Sequence, residues 1–172
     1  MEKTNVMRLL DAAKIPYGSY EYAAPDGALS GVEVARQLRQ EEERVFKTLV
    51  TQAASGKYYV FVIPVGEELN LKKAASAVHE KKIEMIKSKE LLPLTGYIHG
   101  GCSPIGMKKP FPTVVDETAQ LWDTIIFSAG KIGYQVEVSP ENLGKIISYT
   151  FADVTQGLRE AFRKESKKNR CF

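Results

Sequence analysis

The stretch RVFKTLVTQAASGKYYVFVIPV, residues 44–65, decides the fold class. Two runs rich in β-branched and aromatic residues flank AASG, and Gly56 suits the turn between them, so the stretch predicts a β-hairpin. Side chains alternate along a strand, which predicts that Val45, Lys47 and Leu49 share one face of the first strand. Lys47 therefore stands out as a cation within an otherwise apolar strand.

Two environments are open to Lys47. Lysine commonly protects an exposed sheet edge, and the strand taken alone favours a solvent-facing edge position. A position over a cavity gains support when Tyr20 and a glycine-rich loop are added. Together these groups supply a cation, a hydroxyl and backbone donors, with no obvious base.

The rest of the chain predicts short helices between strands. Helix caps occur at Thr4, Ser30 and Asn70, and Ser30 begins a capping box. Further strands are predicted in YGSYEYA, KKIEMI, PTVVD, DTIIFSAG, YQVEVS and ISYTFADV. Because the order is not a regular βαβ alternation, we expect an α/β (α+β) fold. It would be a single compact domain with a mixed, curved sheet or open barrel and peripheral helices.

The composition of the chain limits which classes of function and location are expected. The chain has 172 residues, 44% of them hydrophobic, and no window approaches the roughly 18 apolar residues of a membrane span. The N-terminus does not resemble a secretory signal, so a cytoplasmic location without membrane association is expected. Two cysteines fit a reducing compartment. Two histidines without ligand spacing predict no metal, and the known phosphate-binding loops are absent, so no cofactor is expected.

Charge points to a possible anionic partner. The net charge is only +3, but lysines occur in several pairs and the end of the chain, RKESKKNR, is strongly basic. Solvated helix faces explain any one cluster. Several clusters in so short a chain favour a phosphate-rich partner. The segment QGLREAFRKESKK predicts a polar C-terminal helix.

A second stretch, HGGCSPIGMKKPFPTVVD at residues 99–116, carries the candidate chemistry. A serine nucleophile at an elbow needs a glycine two residues before it and two after it. Gly101 fits before Ser103, but Ile105 occupies the second place, and Pro104 removes a backbone N–H that the elbow would use. Cys102 has no local base or cation that would activate its thiol. Neither side chain is favoured as a nucleophile.

The same loop is better suited to holding an oxygen atom than to attacking one. Gly100 and Gly101 can present consecutive backbone N–H groups to an anionic or carbonyl oxygen. Ser103 can donate a further hydrogen bond, and Pro104 stiffens the loop. Such a loop stabilises a developing oxyanion without supplying a nucleophile.

Six segments together carry a family resemblance: KTNVMRLLD, VFKTLV, VIPVGEELNLKKAA, TGYIHGGCSPIGMKKPFPTVVDE, SAGKIG and FAD. In this order, over about residues 3–155, they resemble the YbaK/EbsC family of aminoacyl-tRNA deacylases. The resemblance implies an editing domain over residues 1–155, related to one inserted in some prolyl-tRNA synthetases, followed by a polar helix or tail at 156–172. It also implies trans-editing hydrolysis of the ester in mischarged tRNA, typically Cys-tRNA(Pro), with prolyl-tRNA synthetase as partner.

The resemblance also implies roles for particular residues. Lys47 and Tyr20 carry over as catalytic positions, with Lys47 orienting the terminal adenosine or its ester and Thr48 assisting beside it. The substrate-binding loop carries over as Gly100, Gly101, Ser103 and Pro104. In such deacylases the thiol of the substrate cysteine attacks its own ester carbonyl and releases a thiolactone, so the protein supplies positioning and charge stabilisation.

This chain departs from the family pattern after SAG, where Ile132 and Gln135 stand in place of an arginine and an acidic residue. Relatives of the fold also remove alanine or serine by using water. Two alternatives therefore stay open: a deacylase for Ala-tRNA or Ser-tRNA, and a non-catalytic module that binds tRNA or a synthetase. A serine or cysteine hydrolase of small esters is a third.

Overall fold

The computed structural model describes residues 2–157. The five α-helices among these residues are α1 Asn5–Ala12, α2 Gly31–Gln37, α3 Leu71–Ala77, α4 Ser88–Thr95 and α5 Pro140–Leu143. Short 3₁₀ turns cover Glu42–Arg44 and Glu117–Leu121. The strands are β1 Gly18–Glu21, β2 Phe46–Ala53, β3 Tyr58–Pro64, β4 Ile83–Met85, β5 Thr113–Asp116, β6 Ile125–Ser128, β7 Tyr134–Val138 and β8 Tyr149–Ala152.

The helices begin where the sequence places caps. The Thr4 side chain accepts a hydrogen bond from the Met7 amide at 3.3 Å. Ser30 and Glu33 form the reciprocal capping box at the start of α2. Asn70 accepts a bond from the Lys73 amide at the start of α3. These bonds satisfy amides that have no partner inside the helix, which explains why short helices form at these points.

The predicted hairpin is confirmed as β2 and β3, which pair antiparallel from Phe46–Pro64 to Gln52–Tyr58. They lie in a five-stranded sheet of order β4-β2-β3-β5-β8, in which the β3–β5 and β5–β8 pairs are parallel. A second sheet, of order β1-β7-β6, is antiparallel. The predicted mixed α/β single domain is therefore confirmed, with the strands divided between two sheets.

The two sheets meet at one point, a parallel bridge between Val45 and Ile126. Beyond that bridge they diverge and do not close into a barrel. The main core lies between their facing sides and includes Phe46, Val50 and Phe127, each at most 2% exposed. Helix α1 covers part of this core with Val6. The open, curved arrangement predicted from the sequence is confirmed.

Strand β2 contributes to different clusters on its two faces. Phe46 and Val50 enter the main core, whereas Val45 belongs to a small cluster with Ala35, Val65 and Ile126 on the opposite side of the sheets. This alternation places Lys47 on the side of Val45 and Thr48 on the side of Phe46.

None of the helices in this part of the chain is long and apolar enough to cross a membrane. Thr155 forms a bridge with Leu69, and Val154 is fully buried, so the ordered packing reaches the predicted end of the domain. The domain boundary at residue 155 stays a prediction. The predicted polar C-terminal helix falls mostly on residues 158–172, which lie outside the described residues.

Candidate active site

Lys47 is partly buried on β2 and pairs with Ile63 of β3. On its other side β2 bridges to β6 at Val45 and pairs with β4 only from Thr51 to Ala53, so Lys47 lies between these two contacts. Because its side chain is partly buried, the fully solvent-facing position favoured from the strand pattern is wrong. Burial lowers the pKa of Lys47, and the negative charges of Glu68 and Glu67 only partly oppose this effect. Within residues 2–157 Lys47 has no hydrogen bond or ion pair, so its ammonium is available to an anionic or ester oxygen.

Tyr20 lies on the same side of the sheets as Lys47. In the β1-β7-β6 sheet, Tyr20 pairs with Gln135, and Gln135 pairs with Ser128, so the three side chains form a row on one face. Tyr20 also packs against the cluster that contains Val45 and Ile126, the two residues that join the sheets. The fold therefore places the row of polar side chains Tyr20, Gln135 and Ser128 on the same side as Lys47.

The Tyr20 hydroxyl is held in place by an acidic network. It donates a 2.5 Å hydrogen bond to Glu137, which raises the pKa of Tyr20. The second carboxylate oxygen of Glu137 accepts a bond from the Thr124 hydroxyl at 2.5 Å and lies 3.5 Å from the Arg44 guanidinium. Burial alone would raise the pKa of Glu137, but the bonds from Thr124 and Tyr20 and the charge of Arg44 together lower it.

Glu137 was not predicted as a site residue. One sequence signal could have identified it, since it is a carboxylate inside the otherwise apolar alternation YQVEV. Its partner Arg44 also packs over the Trp122 ring, 5.3 Å from the centroid, which fixes the guanidinium. Tyr20 is thus oriented by groups that come from distant parts of the chain.

The glycine loop, residues 98–106, lies beside the end of the strand that carries Ser128. A Cβ at Gly100 would collide with that of Ala28, and Gly100 has a φ of +85°, so this position requires glycine. A Cβ at Gly101 would lie 3.1 Å from the Ile132 amide nitrogen in the turn after β6. The diglycine therefore fits between two other loops, one at Ala28 and one at Lys131–Ile132.

The expectation of two consecutive free amides in the diglycine is wrong. The Gly101 N–H donates to the Ile98 carbonyl at 3.0 Å and closes a tight turn. The N–H groups of Gly100 and Cys102 have no such partner within the described part of the chain. The loop can therefore offer amide donors to an oxygen, but they flank Gly101.

The side chains of the glycine loop are mostly internal. Cys102 is 9% exposed, and burial raises the pKa of its thiol to about 12, with a smaller opposing effect from Thr95. Ser103 is fully buried, and its Oγ accepts a bond from the Ile105 amide at 3.3 Å. The Tyr97 hydroxyl bonds the Ile105 carbonyl. These contacts shape the loop, and a thiol with so high a pKa is a poor nucleophile at neutral pH.

Thr48 and Pro104 are placed differently from Lys47. Thr48 faces the main core side of β2, where its Oγ1 is buried and lacks a hydrogen-bond partner within residues 2–157. Pro104 is buried and lines a cavity beside the glycine loop. The substrate-binding roles of Thr48, Gly100, Gly101, Ser103 and Pro104 stay predictions, as do the catalytic roles of Lys47 and Tyr20.

Of the two departures from the family pattern, Gln135 lies within this row and Ile132 lies in the turn after β6. Gln135 is 5% exposed, and its side-chain oxygen accepts a 2.9 Å bond from Gln40. The Ile132 backbone packs over Gly101. A buried amide pair thus occupies the place where an acidic side chain was expected. Residues 2–157 contain no group of three or more His, Cys, Asp or Glu side chains arranged to hold a metal ion.

The fold and the site together define an open two-sheet α/β domain that carries a partly buried lysine near the junction of its sheets and a glycine loop with amide donors. In this chain the thiol and hydroxyl of that loop are buried.

Comparison with known proteins identifies the family. Residues 26–146 match the family model of the aminoacyl-tRNA editing domain. A protein of Enterococcus faecalis, provisionally named Cys-tRNA(Pro)/Cys-tRNA(Cys) deacylase EbsC, is 49% identical over 154 residues, covering 90% of this chain and 94% of the relative. This chain belongs to the aminoacyl-tRNA editing domain family.

Solved structures confirm the fold. A hypothetical protein superposes with a TM-score of 0.79 at 24% identity, covering 88% of this chain and 99% of that one. A provisionally assigned trans-editing enzyme for prolyl-tRNA synthetase gives a TM-score of 0.75 at 21% identity, covering 91% and 100%. At such identities the likeness concerns the fold alone.

Proposed function

We propose that this protein is an aminoacyl-tRNA deacylase that removes cysteine from mischarged proline tRNA in trans. The observation that carries the proposal is membership of the editing-domain family together with 49% identity to a relative named as a Cys-tRNA(Pro)/Cys-tRNA(Cys) deacylase. The positions of Lys47 and Tyr20 on one side of the sheets support it.

In the proposed reaction the nucleophile is the thiol of the substrate cysteine. Its sulfur forms a bond to the ester carbonyl carbon, the bond from that carbon to the ribose oxygen breaks, and the thiol proton ends on the ribose oxygen. The products are a cyclic thiolactone and tRNA with a free 3′ end. The buried, neutral Cys102 thiol agrees with this assignment, since the protein needs no thiol of its own.

The protein's part is to hold the ester and stabilise charge. Lys47 binds the terminal adenosine or the ester oxygen with an ammonium that has no partner among the described residues. The free amides beside Gly101 donate to the carbonyl oxygen as it gains negative charge. Tyr20, held by Glu137, positions the aminoacyl group, and Ser103 and Pro104 shape the glycine loop. Thr48 acts through the strand that it shares with Lys47, because its own side chain faces the core side of β2. Orientation of two reacting groups can by itself lower the barrier by several kcal/mol.

We include a synthetase as a partner, because a protein of this fold is assigned to trans-editing for prolyl-tRNA synthetase. A synthetase would supply tRNA selectivity that a small domain lacks. Co-elution of the two proteins with proline tRNA in size-exclusion chromatography tests this part separately. Separate elution in the presence of that tRNA would contradict it.

The test is a deacylation panel on proline tRNA charged with cysteine, alanine or serine. We expect cysteine to be released fastest and to appear as thiolactone, because only cysteine carries the attacking thiol. Lys47→Ala should lower the rate by roughly 100-fold or more. The matched control is Lys57→Ala, at an exposed lysine in the hairpin turn, and it should retain full activity.

Three outcomes separate the alternatives. Release of alanine or serine at the rate of cysteine would show that the step uses water rather than the substrate thiol. Wild-type turnover by Lys47→Ala would contradict the catalytic site. Tight tRNA binding with no turnover of any ester would indicate a non-catalytic module.

A further inference from the structure

A cavity of about 610 Å³ lies beside the glycine loop, and of the residues that line it only Pro104 has a role in the reaction proposed above. One wall is the end of that loop, from Pro104 to Met107. Lys109 to Pro112, from the KKPFP segment at residues 108–112, also line it. Residues 146–150, which lead into β8, form the opposite wall.

Two aromatic rings are fixed in this cavity. The Phe111 ring packs against Tyr58, with centroids 5.7 Å apart and an interplanar angle of 58°. The Tyr149 ring packs edge-on against Phe151 at 5.1 Å, and its hydroxyl donates to the Pro140 carbonyl. Both rings are partly exposed and held from behind. Fixed, accessible rings are the usual stacking surface for unpaired nucleic-acid bases.

The charge of the cavity is positive. Lys109 lines it and is exposed, and none of its lining residues is acidic. Lys108 precedes it, and its backbone is anchored by an amide bond to the Thr95 carbonyl. Lys145 is exposed next to the lining residue Ile146. A groove with lysines for phosphates and rings for bases matches single-stranded nucleic acid in both chemical components.

The cavity also lies at a suitable distance from the diglycine. Pro104, in its wall, is three residues after Gly101, and consecutive Cα atoms are about 3.8 Å apart, so the two lie within ~11 Å. A ribose held at the diglycine would place the nucleotides joined to it within this range. Nothing else in the proposed reaction accounts for a basic, aromatic cavity at that position.

We propose that this cavity holds the unpaired nucleotides that precede the terminal adenosine of the tRNA. Their bases stack on Phe111 and Tyr149, and their phosphates contact Lys109, with the charge of Lys108 next to it in the chain. This inference rests on the proposed function for its substrate, and it adds a second binding site that reads the single-stranded end.

Binding can be measured without turnover. Wild-type protein should bind a fluorescently labelled ACCA RNA oligonucleotide, and the affinity should fall steeply as salt rises. Phe111→Leu, which keeps an apolar contact with Tyr58, should weaken binding roughly tenfold through the lost stacking. Lys108→Ala with Lys109→Ala should weaken it and flatten the salt dependence. Lys81→Ala with Lys82→Ala, an exposed pair that does not line the cavity, is the matched control.

Turnover then separates this inference from the proposed function. The cavity variants should lose roughly tenfold in kcat/KM on Cys-tRNA(Pro). They should match the wild type on cysteinyl adenosine, which lacks the preceding nucleotides. Thermal melting of each variant verifies folding. Lys109→Glu tests the cavity's charge by a change at an exposed residue that leaves the Phe111 packing intact.

Unchanged ACCA binding in both cavity variants would overturn the inference, as would equal losses on the two ester substrates. Loss of synthetase binding by the cavity variants with RNA binding intact would also overturn it and would assign the cavity to a protein. Failure of wild-type protein to release cysteine, with cavity-dependent ACCA binding retained, would instead contradict the deacylase assignment alone.

Discussion

Tyr20 and Lys47 lie on the same side of the sheets but are held in opposite ways. The Tyr20 hydroxyl is fixed by Glu137, which is itself bound by Thr124 and lies beside Arg44. Lys47 has apolar β-sheet neighbours, such as its cross-strand partner Ile63, and has no hydrogen-bonding partner within residues 2–157. One half of the candidate site is therefore preorganised, and the other is an unpaired cation.

This difference in hydrogen bonding indicates which of the two residues contacts the substrate directly. A polar group with all its bonds made inside the protein stabilises the fold and has little left to offer a ligand. A partly buried ammonium without a partner costs stability, and natural proteins keep such costs mainly at functional sites. We therefore expect Lys47 to bind the substrate's oxygen atoms directly and Tyr20 to define the shape of the site.

The largest effect is expected from Lys47→Met, which keeps the length of the stem and removes the charge. Deacylation of Cys-tRNA(Pro) should fall at least 100-fold, while stability at neutral pH should rise by about 0.5–2 kcal/mol, because the desolvated charge is gone. Thermal melting and single-turnover deacylation check the two parts. A variant that loses both activity and stability would indicate that Lys47 is structural.

The stability gain should also depend on pH with a definite sign. Burial lowers the pKa of Lys47 in the folded state below its value in the unfolded chain. The unfolded chain thus binds more protons between these two values, and the free energy of unfolding of the wild type rises with pH in that window. The advantage of Lys47→Met should therefore be full at neutral pH and shrink in the alkaline range, toward about pH 10. A stability advantage of Lys47→Met that does not change with pH would contradict the contrast between an unpaired Lys47 and a fixed Tyr20.

A smaller effect is expected on the preorganised side. Glu137→Gln should cost about 1–3 kcal/mol of stability, because Arg44 loses a charged partner and the Tyr20 bond is weakened. Activity should fall roughly tenfold, mainly in kcat, as Tyr20 becomes less well oriented. Since the folded pKa of Glu137 is lowered, its stabilisation is present above the unfolded value and is lost as pH falls below about 4. The variant should show a shallower loss of stability in acid.

A second variant, Tyr20→Phe, completes this test. The double variant Glu137→Gln with Tyr20→Phe measures the energetic coupling between the two residues. If Glu137 acts through Tyr20, the two losses in kcat should be clearly less than additive. Full additivity would show that the residues act independently and that Glu137 is not a positioning residue. Tyr134→Phe, on the same strand as Glu137, is a control because its ring lies outside the row of polar side chains.

The hairpin and the three helix starts could be predicted from the sequence because their causes are local. Cap side chains at Thr4, Ser30 and Asn70 bond amides three residues away, and the alternation around Gly56 fixes the turn. The alternation likewise assigned Lys47 to the face of Val45. What it could not give are the contacts on the second side of β2, because they come from distant parts of the chain. Ile126 bridges Val45 before Lys47, and β4 pairs from Thr51 onward after it.

The acidic network illustrates the same limit at the site. Tyr20 and Glu137 are 117 residues apart, and Arg44 lies 93 residues from Glu137, so no local pattern joins them. The free amides of the glycine loop were misassigned for another reason. Two adjacent glycines predict a tight turn, but a tight turn uses one of its own N–H groups, and here Gly101 bonds Ile98.

The smallest effect on activity is expected at Cys102, although it lies within the glycine loop. Its buried thiol has a pKa raised to about 12, so it stays protonated at neutral pH, and it packs against the main core. Cys102→Ala should cost about 1 kcal/mol of stability through lost packing, and it should change kcat for Cys-tRNA(Pro) by less than about twofold. Parallel deacylation and melting measurements check this. Loss of turnover in a variant that still melts cooperatively would place the attacking sulfur on the protein, and the unpaired cation at Lys47 would then need another explanation.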